Sequence, residues 1–301
     1  MINCLITGTS GFVGSNLLNY FSSNDNINVV KLDLRVTTDV VIPDTIDCII
    51  HLAGKAHDLK NIVNPNEYYY VNFELTKKIF DAFLNSKAKS FITLSSVKAV
   101  VDSINVILTE DFIPNPITHY GISKLKAEQY IIANSIGFNK NYFILRPSLI
   151  HGPGNKGNFN LLFNLMKYGT PWPLGSFNNK RSYCSIDNLT FIIEEFIIRD
   201  DIASGVYNIS DDEPVSTNEL IKLISFVTKK RAYIISIPQK IVFLFAKIGD
   251  FLSLPFNTEK LQKLTENYQV SNLKLKEAVK KDLPIKSYQG LIKTFKSFVD
   301  K

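Results

Sequence analysis

The sequence predicts an α/β fold, a Rossmann-like doubly wound parallel sheet with a smaller C-terminal α/β lobe. Three observations carry this expectation. The chain opens with an apolar run (Ile2, Cys4, Leu5, Ile6), a glycine-rich turn and an amphipathic segment, Phe12 to Phe21, in that order. Short apolar runs then alternate with segments of helical spacing, the pattern that builds a parallel sheet. At 301 residues there is enough chain for one large core and a smaller lobe.

The turn reads Thr7-Gly8-Thr9-Ser10-Gly11-Phe12-Val13-Gly14. Gly8 permits the sharp turn, Gly11 lets the backbone approach a pyrophosphate, and Gly14 allows close packing of helix on strand. Backbone N–H groups at a helix N-terminus favour an anion, so Gly8, Ser10, Gly11, Phe12, Val13 and Gly14 form a candidate phosphate seat. A second strand, Ile27 to Leu32, ends at Asp33, where a dinucleotide fold needs an acceptor for ribose hydroxyls. Arg35 could pair with a 2′-phosphate that Asp33 would repel. NAD(H) is therefore the favoured cofactor, with NADP(H) as the alternative.

Asp47 to Leu52 reads as a third strand, and the small residues after it (Leu52-Ala53-Gly54) let a cofactor come close. His51 closes this strand as a hydrogen-bonded core residue, while Lys55 and His57 beyond it are candidate phosphate contacts. A helix is expected over 66–85, with a core stripe of Val71, Leu75, Ile79 and Phe83. Ser90 to Leu94 is the fourth strand, ending in Ser95-Ser96.

Next comes Tyr120-Gly121-Ile122-Ser123-Lys124, heading an amphipathic helix. Four residues place Tyr120 and Lys124 on one helix face. A phenol normally titrates near pH 10, and a neighbouring ammonium favours its ionised form. That pairing makes a tyrosine usable as a general acid or base.

Bulk properties narrow the function. The net charge of +6, from 34 basic and 28 acidic side chains, is mild, and the absence of a basic block interleaved with aromatics argues against nucleic acid. Three scattered cysteines (Cys4, Cys48, Cys184) suit reduced, buried thiols in a cytoplasmic protein, with no metal site. The greasiest region, 233–256, is interrupted by Pro238, Lys240, Lys247, Asp250 and Pro255, so no stable membrane insertion is expected. It reads as a buried or lobe-packing helix, with membrane-surface contact as the lesser alternative.

Together these residues resemble the extended short-chain dehydrogenase/reductase superfamily, in its nucleotide-sugar epimerase/dehydratase branch. The resemblance runs over Gly8/Gly11/Gly14, Asp33, His51-Leu52-Ala53-Gly54, Val71-Asn72, Ser95-Ser96, Tyr120/Lys124 and Arg146-Pro147, followed by Gly152-Pro153-Gly154. It implies a catalytic serine at Ser96, on an alignment without a gap before Val97-Lys98, beside Tyr120 and Lys124. It also implies a cofactor contact at Asn72, and contacts to a UDP-sugar at Asn158 and Arg181. A guanidinium fork suits a diphosphate, which it grips bidentately. A homodimer on the two long helices flanking the sheet is implied as well.

The resemblance further implies a dinucleotide-binding domain over 1–150 plus about 181–205, and a sugar-nucleotide lobe over 151–180 and 206–301. This chain departs from the pattern at Leu149, at Ala99-Val100-Val101, and in lacking a recognisable second diphosphate-binding arginine. Val97-Lys98 stands where related dehydratases carry an Asp-Glu pair. The segments Ser95-Ser96-Val97-Lys98, Lys156-Gly157-Asn158-Phe159 and Pro173-Leu174-Gly175 resemble enzymes of bacterial surface-polysaccharide clusters, which points to reduction of a UDP-linked, N-acetylated 4-keto-sugar in surface-polysaccharide precursor synthesis. The alternatives are a 4-epimerase that retains its NAD and, more remotely, a dinucleotide-binding regulatory protein without catalysis.

Overall fold

The computed structural model describes residues 1–36, 39–56, 64–136, 139–155, 157–254 and 256–299; the side chain of Asn158 and all of His57 lie outside this description. Strand β1 (Ile2–Thr7) leads through the glycine turn into α1 (Phe12–Phe21), followed by β2 (Ile27–Leu32) and β3 (Cys48–His51). Helix α2 (Pro65–Tyr69) passes through a π-helical turn at Tyr70–Glu74 into α3 (Leu75–Leu84), then β4 (Ser90–Leu94). A 3-10 turn at Val97–Ala99 and the short β5 (Ile107–Leu108) precede α4 (His119–Asn134) and β6 (Asn141–Pro147). Next are β7 (Leu149–His151), α5 (Asn158–Met166), β8 (Tyr183–Ser185), α6 (Ile186–Ile198) and β9 (Gly205–Ile209). The chain continues with α7 (Thr217–Thr228), α8 (Gln239–Phe251), α9 (Thr258–Thr265), β10 (Gln269–Val270), α10 (Leu273–Val279) and α11 (Ser287–Val299).

Six strands form one parallel sheet in the order β2-β1-β3-β4-β6-β9. The chain first winds from β1 to β2, then crosses back to β3 on the other side of β1. That reversal opens a crevice at the carboxyl ends of β1 and β3. Both sheet faces are covered, which is why the strands read as apolar runs. In β1, Cys4 and Ile6 join a core with Leu17, Phe21, Leu189 and Phe196, whereas Leu5 joins Ile79, Phe80, Phe83 and Ile131 on the opposite face.

A further core, built by Phe159, Phe163, Trp172, Leu220, Ile224 and Phe295, lies in the C-terminal half. The Trp172 indole N–H donates to Asn218 Oδ1 at 3.1 Å, which seats this residue in that core. Ser216 and Glu219 form a reciprocal capping box on α7. The three cysteines are free and buried. No helix among the described residues is long and apolar enough to cross a membrane.

Three sequence expectations need correction. Val206 to Ile209, placed in the lobe by sequence, pairs with β6 and closes the main sheet. Leu275 and Val279 of α10 likewise pack into the main core. An apolar run states that a segment is buried, not which core buries it. The helix over 66–85 carries an extra residue in its π-helical turn, so Asn72 and Thr76 face inward instead of Val71 and Leu75. Finally, α8 buries only Val242, Ala246 and Gly249, and most of its apolar side chains are exposed.

Candidate active site

The turn after β1 is built for close approach. Gly8 adopts φ +69°, a left-handed conformation that disfavours side chains, and a Cβ there would lie 2.5 Å from the Ala53 backbone nitrogen. At Gly14 a Cβ would sit 2.3 Å from the Gly8 carbonyl oxygen, so the helix start packs directly on the turn. Gly11 is the N-cap of α1 and provides no side-chain cap, and the first turn of α1 holds no acidic residue. The site has the backbone donors and the bare walls that a dinucleotide pyrophosphate requires. A Cβ at Gly54 would lie 3.0 Å from Lys124 Nζ and 3.3 Å from Asn72 Oδ1, so this glycine keeps the crevice open beside both residues. Leu52 and Ala53 line the same strand end.

Asn72 is fully buried by the π-helical turn. Its Oδ1 accepts from the Lys55 backbone N–H at 2.8 Å, while its Nδ2 donates to the Lys55 carbonyl and to Ser123 Oγ, each at 3.0 Å. It thereby ties the loop after β3 to α4. His51 is a structural residue, as its position suggests. Thr76 Oγ1 donates to the Asn72 carbonyl, so His51 Nε2 donates to Thr76 and its Nδ1 accepts from Thr7 Oγ1 at 2.8 Å. Burial and the charge of Lys124 push His51 down to about 3, keeping it neutral.

Thr118 caps α4 through Gly121 and sets Tyr120 and Lys124 at the crevice. Lys124 is 8% exposed, and its ammonium donates to the Leu94 carbonyl at 2.8 Å. Burial lowers it to about 8, with Glu128 acting in the opposite sense. The hydroxyls of Tyr120 and Ser96 are hydrogen-bonded. Burial nonetheless holds the phenol above its ordinary value, with Ser96 lowering and Tyr68 raising it. The lowering expected from Lys124 is not among these influences; desolvation comes first, and it disfavours the phenolate. The Tyr68 ring stands edge-on to Tyr120, centroids 6.2 Å apart.

The two serines after β4 part company. Ser96 starts the 3-10 turn, accepting from the Lys98 N–H at 3.2 Å, and meets Tyr120. Ser95 donates instead to the buried Glu128 carboxylate. Tyr268 Oη lies 2.7 Å from the Val101 carbonyl and 3.1 Å from that of Val97, bracing this segment from the far end of the chain.

Asp33, at the tip of β2, is exposed and bound by Arg35 at 2.6 Å, whose hydrogen bonds hold its carboxyl down at about 2. Asn158 opens α5, and its side chain lies outside the described residues. Arg181 is held by the C-terminal segment. Its Nη1 donates to the Lys263 carbonyl at 2.8 Å, and its Nη2 meets Glu266 at 3.1 Å. Lys263 itself pairs with Glu259 in its own helix.

Lys98 is a site-proximal residue that sequence reasoning passed over. Its ammonium stands 4.3 Å over the Tyr268 ring, and burial lowers its pKa while Glu266 and Arg181 act on it electrostatically. Only the partnering of distant segments reveals this. Among the described residues, no cluster of His, Cys, Asp and Glu could hold a metal.

A parallel sheet with a glycine cradle, and a Ser-Tyr-Lys set at its carboxyl edge, define a dinucleotide-dependent enzyme of the α/β class. Residues 4–210 match the model of the NAD dependent epimerase/dehydratase family, and the chain belongs to that family. It is 29% identical over 318 residues to a UDP-glucose 4-epimerase of Vibrio cholerae, spanning 98% of this chain and 95% of the relative. To a GDP-6-deoxy-D-mannose reductase of Pseudomonas aeruginosa it is 24% identical, over 78% and 83% of the two chains. In fold it resembles the UDP-glucuronic acid 4-epimerase of Bacillus cereus, solved with UDP-glucuronic acid and NAD. The TM-score is 0.76 at 19% identity, with 99% of each chain covered.

Proposed function

We propose that this enzyme reduces the C4 carbonyl of a UDP-linked, N-acetylated 4-keto-hexose, in the synthesis of a surface-polysaccharide precursor. The observation that carries the reading is the pairing of Tyr120 with Ser96, one helical turn from the buried Lys124 on α4. Bound NAD(P)H would supply the hydride to C4. As the carbonyl oxygen gains charge, Tyr120 donates its phenolic proton to it and Ser96 Oγ donates a hydrogen bond to the same atom. Lys124 contributes positive charge beside the proton donor, and Asn72 holds the loop over which the cofactor would lie. Arg181, released from Glu266 or shared with it, is the proposed partner of the diphosphate, and Asn158 a second substrate contact. Val97-Lys98 leaves no carboxylate pair after Ser96 to remove water, which argues against dehydration.

A second reading, 4-epimerisation with retained NAD, is favoured by the near full-length similarity to a 4-epimerase. The same residues would then act first in the oxidising direction. Purified enzyme is incubated with a UDP-4-keto-6-deoxy-N-acetylhexosamine and NADH or NADPH. Loss of reduced-nicotinamide absorbance, one-for-one with a C4 alcohol seen by NMR, supports the reductase. Interconversion of UDP-hexose epimers without net cofactor change overturns it in favour of the epimerase.

A further inference from the structure

Helix α8 carries two apolar stripes. Val242, Ala246 and Gly249 face inward. On the other side Ile241, Leu244, Phe245, Ile248 and Phe251 recur at the spacing of one helix face, and Leu252, Leu254 and Phe256 just after the helix are exposed as well. All eight are exposed, Phe251 at 88%. A helix apolar on both sides is ordinarily buried on both. A contiguous surface patch of such residues marks a contact with a partner or a membrane.

We propose that this face docks on the surface of an anionic lipid bilayer. Charge selects that occupant. Residues 217–254 contain six basic side chains (Lys222, Lys229, Lys230, Arg231, Lys240, Lys247) and two acidic ones, Glu219 and Asp250. That stretch of chain, six basic less two acidic, thus carries +4 of the net charge of +6. Glu219, moreover, is occupied by the α7 cap and by Tyr288.

Lys240 and Lys247 are exposed and directly precede Ile241 and Ile248. Their stems can lie along apolar surface while the ammonium groups reach phosphate headgroups. A short helix with Phe and Leu on its outer face and lysines along the border lies in the plane of an interface. Its 13 residues are too few to span a bilayer. A second copy of the chain is disfavoured as occupant. An isologous contact sets a patch against itself and would bring these cations face to face, whereas acidic lipid headgroups neutralise them.

Full-length protein is floated with vesicles of phosphatidylcholine alone, or of phosphatidylcholine with phosphatidylglycerol, at low and high salt. The expected result is co-migration with the phosphatidylglycerol vesicles, weakened by salt. Binding should drop at least about tenfold in the double variant Leu244→Asp/Phe251→Asp, because two inserted side chains are lost. Both positions are exposed, so the variant should keep the parent melting temperature. Three outcomes overturn the proposal: no co-migration with either vesicle; undiminished binding by the folded double variant; or dimers in sedimentation that the double variant abolishes.

Discussion

Glu128 grips Arg146 in a buried ion pair, one helical turn beyond Lys124. Arg146 Nε donates to Oε1 at 3.0 Å and Nη2 to Oε2 at 2.5 Å, and Ser95 Oγ donates to the same carboxylate. One side chain therefore fastens α4, which bears Tyr120 and Lys124, to β6 and to the residue preceding Ser96. Both partners are almost wholly buried, at 5% and 2% side-chain exposure. Fork geometry of this kind restricts rotation of the helix as well as its separation from the strand.

Replacing Arg146 by Met should destabilise the fold by about 3–5 kcal/mol, because it strands a carboxylate in the interior. The double variant Glu128→Leu/Arg146→Met should recover much of that loss. Urea unfolding of the three proteins checks this. Equal stability of the single and double variants would contradict it.

Tyr120→Phe should reduce turnover by roughly two to four orders of magnitude, the usual contribution of a positioned proton donor. Cofactor affinity should change little. Single-turnover rates and fluorescence titration with NADH separate the two effects. Unchanged turnover would end the acid/base assignment.

Lys124 should give the enzyme an alkaline limb. Its folded value of about 8 lies below the ordinary 10.5. Between those values the unfolded chain binds the proton and the native chain does not, so this group's contribution to stability rises with pH across that window. Activity that needs the ammonium should do the opposite and fall as pH passes about 8. Cofactor binding shifts this limb to higher pH if its ribose hydroxyls hydrogen-bond the charged form. Lys124→Met should remove both dependences, read from pH–rate profiles and from unfolding at each pH.

His51 governs the acid side. Held near 3 by burial, against an ordinary 6.5, it stays neutral in the native state while the unfolded chain takes up a proton. Stability should therefore decline as pH falls from about 6.5 towards 3. His51→Gln should flatten that slope in acid unfolding curves, at some loss of stability at neutral pH.

Asp33→Ser should move cofactor preference towards NADP(H). The carboxylate that repels a 2′-phosphate disappears, and Arg35 loses the partner it grips at 2.6 Å. The ratio of the two dissociation constants should shift by about tenfold, the worth of one charge-assisted hydrogen bond.

What the chain alone determined was local. A strand-glycine-helix run, an acid at a strand tip and a Tyr/Lys pair four apart are short-range patterns. Covalent geometry brings their members together wherever they occur. The expected α1, β2 and β4 spans agree with the observed ones for the same reason. Tertiary structure decided the rest. The inward turn of Asn72 depends on one extra residue in a π-helical turn, which no periodicity reveals. The separation of Ser95 from Ser96, by Glu128 and Tyr120 respectively, needs β4 and α4 packed together. Bracing by Tyr268 joins residues about 170 apart in sequence. The apolar run over 233–256 implied burial, yet the fold covers only one side of α8. Hydrophobicity records that a surface avoids water; only packing shows whether the chain itself provides the cover.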